Sequence, residues 1–237
     1  INRTNAQDGT VKNLKKDAER SISKDPKDTV QKNWKTGGNF GLNLNQGTLS
    51  NWSAGGDKFS LSVNSQLSLF AFYKEDKHSW DNSLDLAYGI VKTTSLGTRK
   101  ASDRIDLLSK YGYALSKKWN AGVLFNLRSQ FANGYNYLKD INGADSAVLT
   151  SKTFAPAYVL LSPGFDYKPT AALSFFVSPV TGRWVIVGDK ELAAEKYGFE
   201  NGETVTTEFG AFGSVNYVKA IGKTAGFKSK LDLFSNY

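Results

Sequence analysis

The sequence has no cysteine and no methionine, and only one histidine in 237 residues. Without cysteine there are no disulfides and no thiolate metal sites. Without methionine the start of translation is not in the sequence, and the expectation is a chain that begins after processing. No run approaches the roughly twenty apolar residues of a membrane-crossing helix. Mean hydropathy is −0.38, a value usual for proteins in water. A strand that crosses a bilayer escapes that rule, because only every second side chain faces lipid. The net charge of +8 is modest, and no nucleic-acid motif accompanies it, so no nucleic-acid partner is expected.

What the chain does have is alternation. In "KFSLSVNSQLSLFAFYKEDKHSWDNSLDLAYGIV", residues 58–91, Phe59, Leu61, Val63, Leu67, Leu69, Ala71 and Tyr73 alternate with Ser60, Ser62, Asn64, Gln66 and Ser68. A period of two belongs to a β-strand, whose successive side chains point to opposite faces. The run is longer than the five or six residues or so of an ordinary strand, and long enough for a tilted strand across a bilayer. Glu75-Asp76-Lys77-His78 interrupts it as a tight polar turn.

Residues 1–33 read as a separate periplasmic arm, partly helical or disordered, with Val11, Leu14, Ala18 and Ile22 at weak helical spacing and Pro26 as a stop. Residues 34–237 read as an antiparallel, all-β, transmembrane up-and-down barrel. At least nine strands are visible, near 38–48, 58–74, 79–93, 102–115, 119–132, 154–167, 172–180, 206–218 and 225–237. Pro163 and Pro179 cannot donate to a ladder, so bulges or strand ends are expected there. Connections at 49–57, 94–101, 133–153 and 181–205 are long and the others short. Outer-membrane barrels carry short periplasmic turns and long external loops. The expectation is therefore a bacterial outer-membrane location with the N-terminus periplasmic.

Parity gathers Leu, Val, Phe, Tyr and Trp on one face and the strand charges on the other. Tyr73, Trp80, Tyr113, Trp119, Tyr167 and Tyr217 flank the short turns on the apolar face, as an interfacial aromatic girdle does. A soluble sandwich has the same alternation but no reason to line up Trp and Tyr at one rim. On the charged face, counting from the turns pairs Asp85 with Lys110 and Asp106 with Arg128; Lys230 and Asp232 lie on the same face and join the expected lumen ion pairs.

"WKTGGNFGLNLNQGTLSNWSAGG", "KHSWDNSLDLAYGIVK", "DRIDLLSKYGYALS" and "KLDLFSNY" together resemble a Bacteroidota family of outer-membrane β-barrel proteins of unknown function. The resemblance runs from Trp34 to Tyr237. It implies a barrel of about twelve strands in the complete protein, with the C-terminal strands missing from this chain, and it implies no activity.

Enzymatic parts are few. His78 lies in a turn without an evident nucleophile or orienting carboxylate, and "GGNFG" lacks the Lys and the helix of a phosphate loop. No enzyme activity, cofactor or metal is expected. Trp52, Gly55 and Gly56 mark a loop that either grips a partner or closes a hairpin. Thr29 and Ser146 sit in Asp-Ser/Thr-apolar patterns similar to Bacteroidota O-glycosylation sites. Two functions remain. One is a non-enzymatic accessory subunit of a larger outer-membrane assembly for secretion, barrel insertion or nutrient uptake. The other is a small-solute channel. Large inward residues, Phe70, Phe72, Tyr158, Phe176, Phe212 and Phe234, favour the first. The expected surroundings are outer-membrane lipid, lipopolysaccharide and other outer-membrane or periplasmic proteins.

Overall fold

A computed structural model describes residues 33–49, 57–139, 145–170, 172–221 and 225–237. Trp52, Gly55, Gly56, Thr29 and nearly all of the 1–33 arm lie outside the described residues. So do the side chains of Lys230, Asp232 and Phe234.

The strands are β1 (Trp34–Thr48), β2 (Phe59–Glu75), β3 (His78–Thr93), β4 (Gly97–Ala114), β5 (Trp119–Ser129), β6 (Gly134–Lys139), β7 (Asp145–Ser151), β8 (Ala157–Tyr167), β9 (Leu173–Ile186), β10 (Val205–Ile221) and β11 (Ala225–Asn236), with one helix, α1 (Lys190–Tyr197). Nine of them form one sheet in the order β1-β2-β3-β4-β5-β8-β9-β10-β11, and β6 and β7 form a separate hairpin. Every pairing in the sheet is antiparallel. This is the expected all-β, up-and-down architecture. The sheet is open, with β1 and β11 as its edges.

The alternation sets the two faces, and the register turns them into rows. Leu69, Leu84, Leu107, Leu127, Val159 and Trp184 stand opposite one another in turn across β2, β3, β4, β5, β8 and β9. One residue along each strand, the row is Asn39, Ser68, Asp85, Asp106, Arg128 and Tyr158, across β1 to β8. The polar face curls inward. Lys110 on β4 reaches Asp166 on β8 and lies 5.4 Å above the Phe176 ring on β9. Leu108, Leu124, Leu160 and Phe212 form a buried cluster there, with Phe176 against it.

The two prolines behave as the missing donors require. The β8–β9 register shifts between Leu161 and Phe165, on either side of Pro163, and the β10–β9 register shifts opposite Pro179. Hydroxyls supply hydrogen bonds where the ladder is broken. Ser178 Oγ donates to the Pro163 carbonyl at 2.7 Å and lies 2.9 Å from Thr181 Oγ1, which also accepts from Ser162 Oγ.

Several expected boundaries are corrected. The β3–β4 connection is only 94–96, because the ladder continues to Thr93 opposite Gly97 past a bulge after Gly89. The 133–153 segment holds the β6–β7 hairpin instead of a plain loop. The 181–205 segment holds the end of β9 and α1. The helix had a local signal. Asp189 caps it by accepting from the Leu192 N–H at 2.9 Å, and Gly198 ends it at φ 68°. Its Leu192 and Ala193 pack on Ala155, Val185 and Val187, and the Tyr197 hydroxyl donates to the Thr150 carbonyl. The long-connection end of the sheet thus carries a small packed cap.

Candidate functional site: the polar inner face and its short-turn mouth

The inner face buries polar side chains beside its apolar cluster, and the outer face leaves large apolar side chains exposed. Asp106 is 3% exposed, Asn126 5%, and Ser162 and Ser178 fully buried, all on the inner face. Val177, Phe165 and Leu231, on the outer face, are 54%, 47% and 55% exposed.

Arg128 Nε lies 3.3 Å from Asp106 Oδ2, and Asn126 Nδ2 donates to Asp106 Oδ1 at 2.9 Å. Arg183 on β9 pairs with Glu208 on β10 at 3.0 Å. The expected Asp85–Lys110 opposition is corrected by the register: Asp85 stands opposite Asp106, and Lys110 opposite Asp81. Lys110 Nζ instead lies 3.3 Å from Asp166 Oδ2, and Asp85 accepts from Ser68 Oγ at 2.6 Å. Counting from the turns assumes that successive turns end level. Tilted strands are staggered, so equal counts on neighbouring strands are not equal heights.

Between these ion pairs the inner face is filled. Phe176 and Phe212 lie 6.0 Å apart by ring centroid. A Cβ on Gly164 would stand 2.8 Å from the Phe176 ring, so only glycine leaves that ring its place. Phe70 and Phe72 stack at 4.8 Å further round.

At the short-turn end the outer face carries aromatic rings in register. Trp34, Tyr73, Trp80 and Tyr111 form one cross-strand row over β1 to β4. Trp119 stacks on Tyr167 at 4.4 Å, and Tyr217 packs near Phe227 at 6.0 Å. His78 Nδ1 lies 2.6 Å from the Tyr111 hydroxyl, and its ring packs edge-on to Tyr113 at 5.0 Å. Ser146 is exposed on β7, opposite Leu138. Trp34 lies before the strand expected at 38–48 but within β1, and Tyr111 joins the row in place of Tyr113 because membership depends on the stagger between strands.

Inside the same rim, the β4–β5 and β8–β9 turns frame a cavity of about 540 Å³ lined by Lys117, Lys118, Lys168, Thr170, Ser174 and Asn216, among others. A second cavity of about 60 Å³, with Ser174 and Asn216 also in its wall, adjoins Lys110, Asp166, Phe176 and Phe212. Asn216 Oδ1 is buried and accepts no hydrogen bond from the described residues. Among the described residues, no three His, Asp or Glu side chains gather into a group fit to hold a metal. No described helix is long and apolar enough to cross a membrane, which has no bearing on crossing by strands.

No curated protein and no solved structure matches the chain. Residues 44–135, from the end of β1 into the start of β6, match a family model described as "Protein of unknown function (DUF3078)", so this stretch is similar to an uncharacterised family.

Proposed function

We propose that the chain is the wall of a bacterial outer-membrane β-barrel that serves as a non-enzymatic accessory subunit of a larger outer-membrane assembly. The supporting observation is that charge is buried on the inner face while large apolar side chains are exposed on the outer one. Asp106 is buried beside Arg128 while Leu161, Phe165 and Val177 are open to the surroundings. Water gives no reason to expose those side chains in rows across the sheet; a hydrocarbon layer does, and it penalises a charge on that face. The row Trp34–Tyr73–Trp80–Tyr111 suits the level where hydrocarbon gives way to headgroups. Short turns at that end suit the periplasmic side, and the α1 cap with the β6–β7 hairpin suits the outside. Outer-membrane lipid and lipopolysaccharide then surround the apolar face.

The accessory reading rests on how the inner face is filled. Leu108, Leu124, Leu160 and Phe212, flanked by the Lys110–Asp166 and Arg128–Asp106 pairs, fill this part of the inner face. The polar lining and the open short-turn cavity favour the runner-up, a small-solute channel. The deciding experiment joins two measurements on the native protein. Purification in mild detergent should retain other envelope proteins, and the reconstituted protein should give little conductance in planar bilayers. Steady open-channel currents from a protein that purifies alone would replace this reading with the channel.

A further inference from the structure

We propose that the short-turn cavity is a binding site for a phosphate ester that carries a hydroxyl beside its phosphate, such as a glycerol phosphate group. Three lysines from two separate turns, Lys117, Lys118 and Lys168, line one cavity, and among the described residues no Asp or Glu shares its wall. The turns are tied together by the Lys168 N–H, which donates to the Lys118 carbonyl at 2.7 Å. That bond holds the two turns side by side. Among the described residues these lysines form no ion pair, while the nearby Asp166 is engaged by Lys110. Cations gathered with no described carboxylate among them favour an anion.

The floor adds the second half of the recognition. Asn216 Oδ1 is buried and without a donor among the described residues, a state that costs free energy until a donor arrives. Phosphate oxygens cannot donate when ionised, but a neighbouring hydroxyl can. Thr170 and Ser174 supply further polar wall. The cavity, about 540 Å³, falls in the range of small-ligand sites. Beyond it lie the Phe176 and Phe212 rings, 6.0 Å apart by centroid, in the wall of the smaller cavity. The site does not rest on the accessory-subunit reading, since turns and strand ends form it whatever the assembly.

Glycerol phosphate occurs free and as the headgroup of phosphatidylglycerol. The Trp119–Tyr167 pair sits on the outer side of the same two turns, within reach of a lipid. The full chain in non-ionic detergent is titrated calorimetrically with glycerol 3-phosphate and with methyl phosphate. In parallel, nanodiscs of phosphatidylcholine with added phosphatidylglycerol are assayed for lipid retained on the protein. Wild type should bind glycerol phosphate more tightly than methyl phosphate, or retain phosphatidylglycerol selectively; the first assigns the free ester and the second the lipid. K117Q/K118Q/K168Q should weaken either by about tenfold or more, and N216L should abolish the preference for the hydroxylated ester. Folding of each variant is checked by the gel shift between unboiled and boiled samples. Binding of neither source by wild type, or binding that the folded triple variant retains in full, overturns the proposal.

Discussion

Arg128 Nε and Asp106 Oδ2 lie 3.3 Å apart across the β4–β5 ladder, with side chains 16% and 5% exposed. Removing one member of a pair this buried leaves a charge without its counter-ion, at about 3–5 kcal/mol where the site is dry. Arg128→Met is therefore expected to lower the denaturation midpoint strongly. Asp106→Asn combined with Arg128→Met should recover part of that loss. The check is a double-mutant cycle by urea unfolding in detergent; additive losses would mean that the two groups are not coupled.

Leu161 is 39% exposed at the middle of β8, opposite Phe125 and Gly182. Facing lipid, Leu161→Arg should cost about 2–4 kcal/mol. Facing water it would stay within about 0.5 kcal/mol. Comparing the variant with wild type after refolding into lipid vesicles separates the two surroundings directly.

The α1 cap has a pH window. The Leu192 N–H, then the Lys152 ammonium, hold the Asp189 carboxyl below its ordinary value of 3.8. The hydrogen bond to Asp189 holds Lys152 above its ordinary 10.5. A lowered acid pKa stabilises the fold above the unfolded value, and the gain is lost as pH falls through the folded one. A raised lysine pKa stabilises below its unfolded value and fails as pH rises through the folded one. The cap should therefore be intact between the two limits and loosen on either side. Amide hydrogen exchange of Leu192 and Ala193 reads this, and Asp189→Ala should remove the acid limb.

Ser146 lies in the β6–β7 hairpin on the long-connection side, and Lys77 lies in the β2–β3 turn at the other end. With the short turns periplasmic, Ser146→Cys should label on intact cells with an impermeant thiol reagent and Lys77→Cys should not. The reverse pattern would turn the sheet over.

The alternation of Phe59 to Tyr73 with serines was sufficient to read strands, faces and the polar turn at Asp76–Lys77, because period and turn chemistry are local properties. Asp106 with Arg128 was also legible. They flank one turn, and a single hairpin adds little stagger. Asp85 with Lys110 was not, since those residues count from different turns and the β3–β4 register, His78 opposite Tyr113, is a property of the sheet. Helix α1 carried its Asp189 and Gly198 signals in plain view but is only eight residues long, and it holds through packing on Val185 and Val187. The short-turn cavity belongs wholly to tertiary structure. Lys118 and Lys168 are fifty residues apart in the chain, and only the β5–β8 pairing, which skips the β6–β7 hairpin, sets their turns side by side.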